Sequence, residues 1–179
     1  MSELKSYLIQ VESALKSLRS QSCEDAVEVV KDSLLSGCQV FTCGNGGSAA
    51  TASHFVTDWL KGIREDFGIK PVAHSLNANL STLTAIANDI DYSKVFSFQV
   101  ESLMKPSDVL VVVSGSGNSE NVIEALKAAK IIGARTVGVL GFDGGKALAL
   151  CDYAYHIQTS SMQAFEDISG TFGHAVLVH

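Results

Sequence analysis

Basic residues, prolines and long hydrophobic runs are scarce in this chain of 179 residues. Thirteen lysines and arginines stand against nineteen aspartates and glutamates, and the net charge of −6 argues against nucleic acid or an anionic membrane as the main partner. No apolar stretch approaches the roughly 18 residues of a membrane span. The N-terminus also lacks the apolar core of a signal peptide. These absences predict a cytoplasmic protein that binds neither nucleic acid nor membrane.

The chain also has no pair of cysteines spaced as in metal-binding or redox motifs. Cys23, Cys38, Cys43 and Cys151 share no CxxC spacing and lie among apolar residues, as buried free thiols do. Apolar side chains make up 46% of the chain, enough to form a core without disulfides, which favours a reducing compartment. Because there are two prolines and no linker-like segment, residues 1–179 are predicted to form a single domain.

The first 36 residues predict two helices that precede the rest of the fold. Apolar residues recur at three- and four-residue intervals in the first helix and form one stripe. That stripe must pack on something, so residues 1–36 are expected to contribute to oligomerisation. The stripe consists of Leu4, Leu8, Val11, Leu15 and Leu18.

From residue 39 onward, short apolar runs alternate with helical segments. The runs QVFTC, DVLVVVS and TVGVL lack polar alternation, which is typical of strands covered on both faces. The alternation predicts an α/β fold with a doubly wound, five-stranded parallel sheet. Predicted strands are 39–43, 71–75, 108–114, 136–140 and 153–157. Predicted helices are 48–62, 80–103 with a break near 89–91, 119–132, 144–150 and one from about 162 to the last residue, His179.

A glycine-rich segment, CGNGGSAA, follows the first predicted strand at 43–50. Its glycines let the chain turn tightly and approach a ligand, and Ser48 is placed to cap the next helix. Ligands of open α/β sheets bind at the carboxyl ends of strands, beside helix N-termini, so this is a candidate binding loop. It matches neither GxGxxG nor a P-loop, and the plain alternative is a tight strand–helix turn.

A second polar segment, SGSGNS, closes the most hydrophobic strand at 114–119. The hydroxyls of Ser114, Ser116 and Ser119, with free backbone N–H groups, predict a neutral cradle for a phosphate. Such a cradle needs no lysine, which suits an acidic chain. A simple turn with Ser119 as N-cap explains one serine and leaves the other two without a role.

Two pairs of ionisable side chains are spaced for chemistry. His54 and Asp58 lie at i and i+4 on one helical face, which suits two metal ligands, a base beside an orienting group, or an ordinary surface pair. Glu166 and His174 lie eight residues apart on the last helix, about 12 Å along its axis. One metal ion between them requires stretched side chains, an irregular helix start or two subunits. Alternatively, Glu166 complements the helix dipole and His174 is a core histidine.

Asn88 and Asp89 break an apolar helical segment and could form hydrogen bonds with sugar hydroxyls or simply turn the chain.

The ordered set of motifs resembles the sugar isomerase (SIS) domain family, and more narrowly its bacterial phosphoheptose isomerases. The motifs are, in order, GNGGSA, HFVTD, STLTAIANDIDY, VFSFQVESL, SGSGNSENVIEAL and GFDGG. The resemblance spans residues 1–179. It implies an aldose–ketose isomerase that converts sedoheptulose 7-phosphate to D-glycero-D-manno-heptose 7-phosphate through an enediol(ate), in heptose biosynthesis for lipopolysaccharide.

The resemblance also implies a cofactor and an assembly. These are zinc or another divalent metal, one per active site, and a homotetramer with active sites at subunit interfaces. Asp58 takes the place of base and His174 that of acid, with His54, Asp58, Glu166 and His174 as metal ligands. Asp58 stands where the family usually has glutamate and has a shorter reach; Glu166 replaces the usual glutamine and adds negative charge. The implied substrate-binding residues are Asn45, Gly46, Gly47, Ser48, Asn88, Asp89, Ser114, Gly115, Ser116, Ser119 and Glu166.

A non-catalytic SIS protein, which senses a sugar phosphate or associates with a replication initiator, is the alternative. Such a protein would keep the serines and lose the ionisable residues. His54, Asp58, Glu166 and His174 are all present here, so the isomerase is the favoured expectation.

Overall fold

The apolar runs of the sequence form one parallel sheet in a computed structural model that describes residues 2–178. The central strands β1 (Gln39–Gly44), β3 (Val109–Ser114) and β4 (Arg135–Leu140) are almost fully buried, because helices cover both faces of the sheet. The shorter strands β2 (Val72–Ser75) and β5 (Tyr153–His156) form its two edges. The strand order is β2-β1-β3-β4-β5, and every pair is parallel.

Within residues 2–178, eight α-helices accompany the sheet. Several begin at a serine whose side chain accepts a hydrogen bond from the first turn, as at Ser2, Ser20 and Ser161. A 3₁₀ turn, Tyr92–Lys94, separates the fourth helix from the fifth. The helices are α1 (Glu3–Ser17), α2 (Gln21–Ser36), α3 (Gly47–Phe67), α4 (Leu80–Asp89), α5 (Ser97–Leu103), α6 (Glu120–Ile132), α7 (Gly145–Leu148) and α8 (Met162–Ala175).

Each face of the sheet has its own hydrophobic core. Val111 of β3 joins the core built by α2, α3 and α8, where Phe55 and Trp59 are completely buried. Leu110, the next residue, enters the opposite core with α5 and α6, around Phe96. This division follows from the strand repeat of two residues, which sends successive side chains to opposite faces.

The order of the strands places a crevice above the centre of the sheet. The chain moves from β1 outward to β2 and then returns to the other side of β1 to form β3. The loops that follow β1 and β3 therefore leave the carboxyl edge in opposite directions, and the gap between them is the usual ligand site of open α/β sheets. The glycine loop and the serine loop of the sequence occupy these two positions.

The predicted doubly wound, five-stranded parallel sheet and the N-terminal helix pair are confirmed. The boundaries of four predicted helices are wrong. The break predicted near 89–91 extends over residues 90–96, between α4 and α5. The helix predicted over 48–62 continues to Phe67, because it stays amphipathic until Gly68 ends it in a left-handed conformation. The short helix predicted over 144–150 covers Gly145–Leu148. The last helix stops at Ala175 and is followed by a turn; His179 lies outside the described residues.

The four cysteines are free thiols, as predicted, but only Cys23 and Cys43 are buried; Cys38 and Cys151 are partly exposed. Burial raises the pKa of the Cys43 thiol far above its usual range and that of Cys151 to about 12. Both side chains therefore behave as small apolar groups of the core. In the described part of the chain, no helix combines the length and the apolar character needed to cross a membrane.

Candidate active site

The serine loop presents three hydroxyl groups, two of which accept a backbone hydrogen bond from within the loop. Ser114 Oγ accepts a hydrogen bond from the backbone N–H of Gly117 at 3.1 Å, and Ser116 Oγ accepts one from Asn118 N–H at 3.2 Å. Their O–H hydrogens remain available to donate to a ligand. Ser119 is the N-cap residue of α6 but makes no side-chain capping bond, so its hydroxyl is also available. The loop is thus a set of donors at a helix N-terminus, which suits an anion.

A neighbouring loop holds this cradle in shape. Gly117 has a φ of +62°, and a Cβ at this position would overlap the carbonyl oxygen of Gly144. The backbone carbonyl of Gly117 accepts a hydrogen bond from Ala147 N–H at 2.9 Å. The side chain of Asn118 accepts from Lys146 N–H at 3.1 Å. The serine loop is therefore fixed by contacts with Gly144 and with the backbone N–H groups of α7.

The glycine loop is shaped by its own conformation and by one asparagine. Gly46 has a φ of +55° and forms the N-cap of α3, a conformation that side chains disfavour. Helix α3 consequently begins at Gly47, so Ser48 lies inside the helix and does not cap it, contrary to the sequence prediction. The side chain of Asn77 binds both the N–H and the carbonyl of Gly44, at 3.2 and 2.9 Å. These contacts hold the loop beside the crevice.

A cavity of about 340 Å³ lies between the two loops. Glu166 reaches it from α8, and a Cβ on Gly47 would lie 2.7 Å from Glu166 Oε1. The absent side chain of Gly47 therefore makes room for this carboxylate at the start of α3. Among residues 2–178, those that line the cavity include one carboxylate and no lysine or arginine. They are Asn45, Gly46, Gly47, Ser48, Ser114, Gly115, Ser116, Ser119, Met162 and Glu166.

The side chain of Asn45 is engaged in a network of its own. Its amide exchanges two hydrogen bonds with the amide of Asn121, at 2.8 and 2.9 Å. Its oxygen also accepts a hydrogen bond from Tyr92 Oη at 2.9 Å. Asn121 belongs to the first turn of α6 and is 3% exposed, so the network joins the glycine loop to the helix that carries the serine cradle.

A cluster of ionisable residues lies further along α3. Asp58 Oδ2 is 3.2 Å from His54 Nε2, one turn earlier, and 3.3 Å from His174 Nε2 on α8. The two imidazole rings are 6.0 Å apart in an edge-on arrangement. The Asp58 side chain is 23% exposed, whereas those of His54 and His174 are 58% and 63% exposed. The cluster is therefore open on the histidine side.

Close packing of α8 on α3 brings His174 to this position. A Cβ on Gly173 would overlap the ring of Phe55, so only a glycine allows the two helices to approach so closely here. The Trp59 indole N–H donates a 3.0 Å hydrogen bond to the Gly173 carbonyl, and both groups are buried. The residue after Gly173 is consequently held over Asp58, one turn of α3 beyond His54.

The donor atoms of His54, Asp58 and His174 lie within 4.8 Å of one another and form a group that fits a divalent metal ion. Two imidazole nitrogens and one carboxylate oxygen are ligands that zinc and related ions accept, with a position left for another ligand. Glu166 does not join this group among the described residues, because it lies two turns of α8 away, beside Gly47.

The structure also separates Asn88 and Asp89 from the cavity of this chain. They end α4, are exposed, and bond to each other, with Asn88 Nδ2 donating to Asp89 Oδ1 at 2.7 Å. Asn121, Tyr92 and Asn77 contribute to the site but were not among the sequence candidates. The segment SENVIEAL, which follows the serine cradle, and the aromatic residue of ANDIDY were signals that could have drawn attention to two of them.

Comparison with known proteins places this geometry in a family. A family model described as the SIS domain matches residues 6–141, well over half of the chain. A phosphoheptose isomerase from Aliarcobacter butzleri is 36% identical over 176 residues, covering 97% of this chain and 92% of that protein. Another, from Helicobacter pylori, is 35% identical over 178 residues, covering 98% and 89%. The structure of phosphoheptose isomerase from Neisseria gonorrhoeae has a TM-score of 0.84 at 32% identity, covering 97% of this chain and 94% of that one.

These similarities, together with the fold, define the class: the chain is an isomerase built on an α/β domain. Its relatives are named as isomerases of a phosphorylated sugar, which supports sugar-phosphate isomerase activity rather than the non-catalytic alternative. The chain belongs to the SIS domain family, as its motifs predicted.

Proposed function

We propose that this isomerase interconverts sedoheptulose 7-phosphate and D-glycero-D-manno-heptose 7-phosphate. The observation that carries the proposal is the presence, in one fold, of a neutral anion cradle and of a carboxylate in contact with two imidazoles. The first suits a phosphate ester and the second suits proton transfer. The names of the relatives, phosphoheptose isomerases, support the choice of a heptose phosphate.

In this proposal the substrate phosphate is bound by Ser114, Ser116 and Ser119. Their hydroxyls and the N-terminus of α6 would hold a dianion without any basic residue. Binding energy from this remote phosphate fixes the position of the sugar chain, so that its reactive carbons meet the proton-transfer groups. The cradle therefore contributes to turnover as well as to affinity.

Asp58 is the proposed base. Its Oδ2 contacts both imidazoles, which leaves Oδ1 to remove a proton from the carbon beside the carbonyl. An aldose–ketose isomerisation returns a proton to the adjacent carbon after an enediol(ate) forms, so one carboxylate can perform both transfers. His174, exposed and 3.3 Å from Asp58, is placed to give and take the proton of the neighbouring oxygen.

His54, Asp58 and His174 would hold a divalent ion, with zinc the metal that this donor set favours. When bound, such an ion polarises the substrate carbonyl and stabilises the negative charge that develops on its oxygen. The histidines would bind it in their neutral form.

We propose further that the complete site forms between copies of the chain, in a homotetramer. Gly47, at the cavity, and Asp58, in the cluster, are eleven residues apart on α3, about 16 Å along its axis. If the cluster of one copy faced the cavity of another, a neighbouring Glu166 could serve as a fourth metal ligand. The exposed stripe of α1, in which Leu4, Leu8 and Leu15 are 66%, 54% and 42% exposed, supports such an assembly.

The heptose phosphate would be an intermediate in the synthesis of lipopolysaccharide heptose, made in the cytoplasm. The location would follow from the proposed substrate, because phosphorylated sugars do not cross membranes freely. The role in lipopolysaccharide synthesis rests on the resemblance to phosphoheptose isomerases.

The proposal is tested by incubating the purified protein with sedoheptulose 7-phosphate in deuterated water. Wild type is expected to incorporate deuterium at the carbon next to the carbonyl and to form the aldose, because the abstracted proton exchanges with solvent. Asp58→Asn, which removes the base and keeps the shape, should lose exchange and conversion together. Lys105→Gln, an exposed change distant in sequence from the site residues, is the matched control. Exchange that persists in Asp58→Asn would refute the assigned base, and a wild type with neither exchange nor conversion would refute the function.

A further inference from the structure

Asn45 is one of the residues that line the cavity, and its side chain already uses most of its hydrogen-bonding capacity. Its Oδ1 accepts two hydrogen bonds, from Asn121 Nδ2 and from Tyr92 Oη, which occupy both lone pairs of an amide oxygen. One of the two Nδ2 hydrogens goes to Asn121 Oδ1. A single N–H is left, and it is a donor.

We propose that Asn121 and Tyr92 are positioning residues that fix the Asn45 amide as a hydrogen-bond donor to an oxygen of the sugar phosphate. The inference rests on the proposed function, because it assumes that the ligand occupies the cavity lined by Asn45. Neither residue is expected to touch the substrate. Asn121 and Tyr92 would affect substrate binding indirectly, because they prevent the Asn45 amide from turning its oxygen towards the cavity.

The surroundings of Asn121 support a role in orientation. Its side chain is buried, at 3% exposed, and in the described chain both of its hydrogen bonds go to Asn45. A buried amide is costly unless it is fully paired, and an apolar side chain of similar size would fill the same space at no such cost. An amide that bonds only to the ligand loop is therefore best explained by what it does to that loop.

An Asn45 amide held as a hydrogen-bond donor suits a ligand that carries phosphate and carbonyl oxygens. An amide free to rotate presents its oxygen as readily as its nitrogen, and the oxygen would repel a phosphate or a carbonyl. With the oxygen saturated by Asn121 and Tyr92, the cavity gains a fourth neutral donor beside Ser114, Ser116 and Ser119. The fixed donor needs no reorganisation when the ligand arrives, which favours binding.

A double-mutant cycle tests the inference with sedoheptulose 7-phosphate as the ligand. Asn45→Ala and Asn121→Ala should each raise KM about tenfold, the effect of one hydrogen bond to a charged group, with little change in kcat. The double variant should match Asn45→Ala alone, because Asn121 acts through Asn45. Effects that multiply to about a hundredfold would overturn the proposal, since Asn121 would then act independently. Wild type that neither binds nor converts the sugar phosphate would instead refute the proposed function, and this inference with it.

Two further variants cover the case in which Asn121→Ala does not fold. Tyr92→Phe changes an exposed residue, and it should raise KM about threefold in wild type and not at all in the Asn45→Ala background. Tyr153→Phe, on β5, is the control for loss of a phenol. Asn45→Asp, which has acceptors only, should bind more weakly than Asn45→Ala. An equal effect of Tyr92→Phe in both backgrounds, or retained affinity in Asn45→Asp, would overturn the proposal.

Discussion

The proposed phosphate cradle, at the loop that follows β3, and the histidine cluster, between α3 and α8, differ in how complete they are. In the cradle, Ser114 and Ser116 are held by backbone N–H groups of their own loop, and a second loop packs against them. In the cluster, His54 and His174 are more than half exposed and share one partner, Asp58. One region is organised within a single chain, while the other still has room for a metal ion, a substrate or another copy.

The largest change in ligand affinity is expected from a negative charge placed in the cradle. Ser116→Asp puts a carboxylate among the hydroxyls proposed to bind phosphate, and repulsion at hydrogen-bond distance should reduce affinity for sugar phosphate more than about a hundredfold. The fold should survive, because Ser116 is exposed at the edge of the loop. Calorimetric titration and thermal unfolding measure the two effects. Ser102→Asp, on the exposed side of α5, should bind normally, and unchanged affinity in Ser116→Asp would refute the cradle.

The histidine cluster should respond differently when one of its proposed metal-binding side chains is removed. His54→Ala is expected to lower the content of divalent metal and the rate of isomerisation together, by about tenfold or more in metal affinity, while the cradle keeps its affinity for phosphate. Elemental analysis of protein loaded with zinc, followed by dialysis, gives the metal content. His74→Ala, another exposed histidine, should retain both properties. Stoichiometric metal in His54→Ala would contradict the assignment of the cluster.

Loss of the oligomer should affect turnover, which depends on the histidine cluster, more than phosphate binding, which depends on the cradle. In Leu4→Glu/Leu8→Glu, two charges replace exposed leucines of α1, so sedimentation should show smaller species than wild type. If the site is shared between copies, this variant should lose most of its turnover and keep its phosphate affinity. Lys5→Glu lies on the same helix and is the control. A variant that sediments like wild type would show that the α1 stripe does not carry the assembly.

The smallest effect concerns a brace between α6 and the turn that carries Tyr92. Hydrogen bonds from Lys127 and Lys94 hold the pKa of the Glu124 carboxyl below its ordinary value of 4.5. A lowered pKa in the folded state stabilises the protein above the unfolded value, and the gain disappears as the pH falls through the folded value. Glu124→Gln should lower Tm by about 1–3 °C at pH 7 and by less near pH 3, because the carboxyl becomes protonated as the pH falls. An equal shift at both pH values would argue against an ionic contribution.

Much of this molecule follows from patterns that are local in sequence. The continuous apolar run of β3 predicts a buried strand, and glycines and serines directly after two such strands predict ligand loops at the carboxyl edge. The i, i+4 spacing of His54 and Asp58 predicts their contact, which the structure contains. These features need no knowledge of distant partners, and for that reason the sequence is sufficient.

Other features depend on packing between segments. The approach of His174 to Asp58 requires Gly173 to let α8 close on Phe55, and nothing near either residue signals this. The Asn45 network joins side chains from three separate segments, and its amide orientation is decided by partners rather than by the loop sequence. The end of α3 at Phe67 is likewise set by Gly68, five residues beyond the predicted boundary at 62.

The neutral lining of the cavity has a consequence for how the substrate arrives. A sugar phosphate dianion approaches a chain of net charge −6, and in the described structure no lysine or arginine lines the cavity to attract it. Dissolved salt screens this repulsion over a distance of about 10 Å at 0.1 M, so encounter should become faster as ionic strength rises. A phosphate site built from arginines behaves in the opposite way and weakens as salt is added. Binding of a phosphorylated ligand by this neutral cradle should therefore tolerate high salt.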